Sequence, residues 1–232
     1  MMGRFKNVTL GEHYMQDFGM ALESKDIGLP SVQTKYVSIP LADGDLDLTK
    51  VLSNRVHYGN RNIRMNFNSV TEHPGKKMSD VANQLHGQRV HIIFDDDLYY
   101  YYDGRLDMSD FKENRKGGEY VIDANCKPFK YTVQTSAEDW LWDPFDFENG
   151  YINELMNIVV TTSKEIELIA DEQLSYASIT TDAQVTVTYD NKSVVCAAGT
   201  TTLYDFEFQS GINKILITGN ATITITYRGA RL

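Results

Sequence analysis

Val185-Thr186-Val187-Thr188-Tyr189-Asp190-Asn191 and Ala221-Thr222-Ile223-Thr224-Ile225-Thr226-Tyr227 decide the fold class. In both stretches apolar side chains alternate with threonine. Successive side chains of an extended strand point to opposite faces, so each stretch buries one face and presents hydroxyls on the other. Asp190-Asn191, Gly199, Ser210-Gly211 and Gly219-Asn220 punctuate the region at intervals of about ten residues, the spacing of an antiparallel sandwich of short strands. The C-terminal part of the chain therefore reads as a β-sandwich.

The strand pattern continues upstream. Tyr36–Ile39, Asn62–Phe67 (Ile63, Met65 and Phe67 on one face), Val90–Phe94, Leu98–Tyr102 and Tyr120–Ile122 are strand-like. One helix is expected, from Ser79 as N-cap to His86, with Val81 and Leu85 stacked one turn apart and Gly87 as a left-handed stop. The fold class is mainly β, in two domains. Residues 131–232 carry 5 Lys and Arg against 14 Asp and Glu, whereas residues 1–130 carry 17 against 18, and all five histidines precede residue 92. The seam falls within Thr135 to Asn149, where Trp140, Trp142 and Pro144 interrupt any strand pattern. We place the domains at 1–134 and 135–232.

The 232 residues, 42% hydrophobic and 23% charged, are those of a globular protein. No apolar run approaches the roughly 20 residues needed to cross a bilayer, and Met1 to Phe18 lacks the apolar core and cleavage site of a secretory leader. The net charge of −10 argues against nucleic-acid binding, which requires a surplus of cations to displace phosphate counterions. Two distant cysteines, Cys126 and Cys196, form neither a disulfide framework nor a zinc site.

The chain holds no G-x-S-x-G elbow, P-loop, G-x-G-x-x-G or H-E-x-x-H, so no enzyme, cofactor or metal site is expected. Asp43, Asp45 and Asp47 begin like a calcium loop but meet Leu48 and Asn54 where glycine and glutamate are needed; they read as a polar turn. Asp95-Asp96-Asp97 reads as a hairpin tip in water, and Glu165 with Glu167 as a solvated strand face. Tyr99, Tyr100, Tyr101 and Tyr102 divide two and two between the faces of a strand, which suggests one pair in the core and one pair at an oligomer interface. Trp140, Trp142, Tyr176 and Tyr204 are candidate rings for a sugar or a protein partner.

One series of elements is specific. Gly11-Glu12-His13, Asp17-Phe18-Gly19-Met20-Ala21-Leu22, Ile27-Gly28-Leu29-Pro30, Val37-Ser38-Ile39-Pro40, Asp43-Gly44-Asp45-Leu46-Asp47-Leu48-Thr49 and Tyr58-Gly59-Asn60-Arg61 together resemble the N-terminal domain of the distal tail (Dit) proteins of long-tailed phages. Asp43-Gly44 suits a turn with positive φ, Asp47 a cap, and Asn60-Arg61 a reversal into the next strand. Gly211–Ile217 followed by Thr222–Arg228 is similar to the closing strands of that family's galectin-like C-terminal domain. The resemblance implies an N-terminal belt domain that builds a homo-hexameric ring at the tail tip of a virion, with galectin-like sandwiches projecting outward. It implies as partners the tail tube protein, a tail-associated hub protein and, at the periphery, receptor-binding or baseplate proteins. A carbohydrate-binding module on host polysaccharide is the alternative function, and a cell-wall hydrolase a more distant one.

Overall fold

The structure is a computed structural model and describes residues 6–41, 43–51, 55–69, 74–114, 117–139, 141–142, 147–148, 150 to 170 and 173–232. By its internal contacts the chain divides into two compact units, Met1–Asp96 with Tyr102–Pro128, and Asp97–Tyr101 with Phe129–Leu232.

The first unit is built on β1 (Val8–Leu10), β2 (His13–Tyr14), β3 (Ala21–Ile27), β4 (Val32–Gln33), β5 (Tyr36–Ser38), β6 (Asp45–Asp47), β7 (His57–Tyr58), β8 (Arg61–Ser69), α1 (Pro74–Leu85) and β9 (Arg89–Phe94), with much of β10 (Tyr100–Asn114) and β11 (Gly117–Thr132). Its strands are ordered β3-β8-β11-β10-β9-β1-β2. The expected alternation sets the register: Ile63, Met65 and Phe67 of β8 lie opposite Ala124, Ile122 and Tyr120 of β11, and all six are buried. Each large side chain withdrawn from water this way contributes about 1.5–3 kcal/mol. Gly104 permits close strand contact here, because a Cβ at that position would fall 2.4 Å from the Cys126 sulfur.

The helix begins at Pro74, earlier than the sequence suggests. Proline suits the first turn, where its missing N–H has no helical partner to lose. Ser79 is thus no cap; its hydroxyl sits within the helix and donates back to the Gly75 carbonyl at 3.2 Å. Val81 and Leu85 are buried as expected, and Gly87 ends the helix with φ +75°.

The aspartate triplet is also more than a hydrated tip. Asp95 accepts from the Asn7 amide and the Tyr14 hydroxyl, both at 2.9 Å, and Asp96 holds Lys25 at 2.5 Å. Nearby, Arg89 and Lys127 converge on Asp103 at 2.7 and 2.8 Å. Burial alone would raise the Asp103 pKa, but the hydrogen bonds from these two cations outweigh it and hold the carboxyl down at about 2. A carboxylate depressed on folding stabilises the native state above its unfolded pKa, near 3.8, and loses that contribution as pH falls through about 2. Asp103→Asn is therefore expected to lower the melting midpoint at neutral pH. The gap from the parent should close between about pH 4 and pH 2 in a pH series of thermal melts; a pH-independent gap would assign the loss to packing.

The second unit contains β12 (Ile158–Val160), β13 (Ser163–Ala170), β14 (Gln173–Leu174), β15 (Ser178–Thr181), β16 (Val185–Tyr189), β17 (Lys192–Cys196), β18 (Gly199–Thr202), β19 (Gly211–Gly219), β20 (Ala221–Thr226) and β21 (Gly229–Arg231). Two four-stranded antiparallel sheets, β12-β20-β15-β18 and β13-β19-β16-β17, supply the core, which includes Leu168, Ile179, Val187, Ile215, Ile217 and Ile225. β14 and β21 pair with each other, and β21 also pairs with the end of β11. Asp190 and Asn191 both take positive φ, 46° and 61°, the left-handed pair that joins two strands through a two-residue turn. The expected β-sandwich is present.

Polar clamps that the alternation does not reveal lock this unit. The buried Ser136 hydroxyl donates to the Ile225 carbonyl at 2.8 Å and accepts from the Tyr227 amide at 2.9 Å. The Tyr227 hydroxyl donates to the Ile169 carbonyl and accepts from the Ile169 amide and from the Asn153 side chain. Burial pushes the Tyr227 hydroxyl pKa well up, so the ring stays neutral.

Candidate functional site

The most exposed apolar surface of the first unit lies between β3 and β8. The chain leaves the sheet at Gly28, whose amide donates to the Asn62 carbonyl at 2.9 Å, and runs outward through β4 and β5. It returns through β6 and β7. β4 pairs with β7, and beyond that ladder β5 pairs, among the described residues, with β6 alone, Val37 lying opposite Leu46. Lys35 and Thr49 fasten the two segments, and the Asp47 carboxylate accepts from the Thr49 amide at 2.8 Å. Hydrogen bonding by Thr49 lowers the Asp47 pKa, so this cap is fully ionised at neutral pH. At the tip Gly44 has φ +81°, in keeping with the expected Asp-Gly turn, and Leu41 also has positive φ, 68°.

Every residue of β5 and β6 is exposed. Leu29, Val32, Tyr36, Ile39, Leu41 and Val51 join Val37 and Leu46 in leaving large apolar side chains in water; Leu29 is 84% exposed. A two-stranded hairpin is marginal by itself, and scattered single apolar residues are ordinary, but this arm concentrates eight of them on one protruding element. Strand alternation alone predicts one covered face for Tyr36–Ile39; the structure leaves both faces free.

The tyrosine row behaves in the opposite way. All four rings are buried, Tyr99, Tyr100, Tyr101 and Tyr102 being 3–8% exposed, so the expected interface pair is covered within the chain. In the second unit Tyr99 meets Tyr100 edge-on at 4.9 Å, Lys130 caps Tyr100, and Tyr101 lies between Tyr131 and the Arg228 guanidinium. In the first unit Tyr102 packs on Phe94 and under Arg61. Tyr99 lies in the turn that precedes β10 and its ring meets that of its neighbour Tyr100, so the row does not divide two and two between the faces of one strand, and all four rings are roofed.

Of the four other candidate rings, Trp140 lies outside the described residues. Trp142 is 71% exposed and pairs with Phe147 at 5.7 Å. Tyr176 and Tyr204, distant in sequence, meet at 5.1 Å with both rings about two-thirds exposed. Glu165 and Glu167 share Lys214, at 3.0 and 3.3 Å, on an exposed strand face. Among the described residues no group of three or more His, Cys, Asp or Glu is placed to hold a metal ion.

No family model and no curated protein matches the chain. Solved structures do match. The crystal structure of the Dit (gp 19.1) protein of phage SPP1, described as a paradigm of the hub adsorption apparatus in phages infecting Gram-positive bacteria, aligns with a TM-score of 0.64 over 99% of this chain and 100% of that one, at 13% identity. The chain has the Dit fold. Two structures of the phage p2 baseplate in its activated conformation, with Sr and with Ca, align over 98–99% of each chain at 8% identity, with TM-scores of 0.41 and 0.42. Because the SPP1 alignment runs the length of both chains, the Dit fold covers the unit bearing the arm and the threonine-faced sandwich alike.

Proposed function

We propose that this protein is a non-enzymatic hub of a phage tail tip. Copies associate into a closed six-fold ring through the arm of residues 28–60. Residues 1–134 build the ring and residues 135–232 form outward-projecting sandwiches. The exposed apolar arm carries this reading: it holds eight large side chains out of any core, and only association withdraws them from water. Ring closure requires that the contact be heterologous, the arm of one copy against a different patch on the next. Such a contact closes into a ring when the rotation per subunit divides a full turn. The Dit fold and the hub role stated for the SPP1 protein support the same assignment.

In this role one face of the ring meets the tail tube protein and the other a tail-associated hub protein, with receptor-binding or baseplate proteins at the periphery. The virion tail is the site of action, and no turnover is involved. Light scattering over a concentration series tests the assembly: we expect a plateau at six times the 26.4 kDa chain mass. A mass fixed at one chain throughout would contradict ring closure by the protein itself.

A further inference from the structure

We infer that the outer face of the β12-β20-β15-β18 sheet is a binding surface for neutral glycan chains. Ala177, Ile179, Leu203, Ile223 and Ile225 point into the core, so their neighbours in each strand point out. Register then assembles the outward residues into rows. Ser178 lies between Thr202 and Thr226, and Thr180 between Thr200 and Thr224. The Thr180 and Thr200 hydroxyls hydrogen-bond at 2.9 Å, which fixes their rotamers. The β15–β18 ladder continues one step, through the Leu203 amide to the Ala177 carbonyl at 2.9 Å, and so brings Tyr176 beside Tyr204 at the end of the same rows.

A sugar ring offers an apolar C–H face and a rim of hydroxyls. An exposed aromatic pair takes the first, and an ordered hydroxyl row, in which each group both donates and accepts, takes the second. Charge selects the class of glycan. The rows themselves carry no charged side chain; at their far end Asp182 follows Thr180, its carboxylate accepting from the Thr222 amide at 2.8 Å. Residues 131–232 hold 14 acids against 5 bases, so the surrounding field repels anionic polymers and leaves neutral ones. Tyr176 and Tyr204 are each more exposed than any tyrosine of the buried row. Six copies on one ring would raise the avidity of a weak site.

The test is calorimetric titration of the whole chain with short neutral oligosaccharides of glucose, galactose and N-acetylglucosamine. Binding is expected to at least one, weakened about tenfold by Tyr176→Ala and by Tyr204→Ala, the loss of one stacking contact. Thr180→Val should weaken it severalfold, with the melting midpoint and the oligomer mass unchanged. Three outcomes overturn the inference: no heat with any of the neutral sugars, affinity unchanged in the double Tyr176→Ala, Tyr204→Ala variant, or a fall in oligomer mass in that variant, which would make the face a contact between copies.

Discussion

Replacing Val37 and Leu46 together by aspartate is expected to leave the protein at the mass of one chain at concentrations where the parent forms a ring. The two residues face each other across the β5–β6 ladder and are both exposed in the isolated chain. Burying a valine and a leucine at each contact contributes about 3–6 kcal/mol, so their loss alone weakens each interface by roughly 10²–10⁴. The introduced carboxylates, if buried, add a desolvation penalty. The fold should survive, because exposed substitutions usually change stability by only about 0.5 kcal/mol. Sedimentation velocity with a parallel thermal melt separates the two effects. A double variant that still assembles would remove the arm from the interface, and one that melts early would show that the arm serves the fold instead.

Asn213→Ala is expected to be the most damaging polar substitution in the second unit. This side chain is 3% exposed; its Oδ1 accepts from the Gln209 amide at 2.8 Å and the Tyr189 hydroxyl at 2.7 Å, and its Nδ2 donates to the carbonyls of Gln209 and Gly211. Truncation strands several groups at once, each costing about 1–3 kcal/mol when left unpaired and buried, and the combined loss is about 3 kcal/mol or more. For a unit of about 100 residues that lowers the melting midpoint by roughly 10 °C or more. Asn213→Asp keeps the acceptors but sets a buried carboxylate oxygen against the Gln209 and Gly211 carbonyls, so at neutral pH it should be no milder than alanine. A shift below about 2 °C for the alanine variant would show that solvent replaces the clamp.

What the sequence disclosed and what it withheld divide along physical lines. Alternation is local, so Ile63, Met65 and Phe67, or Ile223 and Ile225, announced both their strands and their buried face. Asp190-Asn191 announced its turn because few residues accept positive φ twice in succession. The helix start was obscured because Pro74-Gly75 has the composition of a loop, and a proline within the first turn looks the same from sequence as one that ends a segment. Whether a strand face is roofed depends on partners distant in the chain. Tyr101 is covered by Tyr131 and Arg228 and Tyr102 by Phe94 and Arg61, while Tyr36–Ser38 pairs with its hairpin partner and stays exposed. Tyr176 and Tyr204 were each visible as single rings; their pairing, and the hydroxyl rows beside them, follow only from the register of β15, β18 and β20.

In the proposed ring the arm of one copy seats on a different surface of the next. The most direct measurement is to place a photo-crosslinking phenylalanine analogue at position 37, irradiate the assembled protein, and map the products by gel and peptide mass spectrometry. We expect a ladder of linked chains ending at six, with position 37 joined to a surface outside residues 28–60. Links only within a chain, or only from arm to arm in a ladder that stops at two, would contradict it.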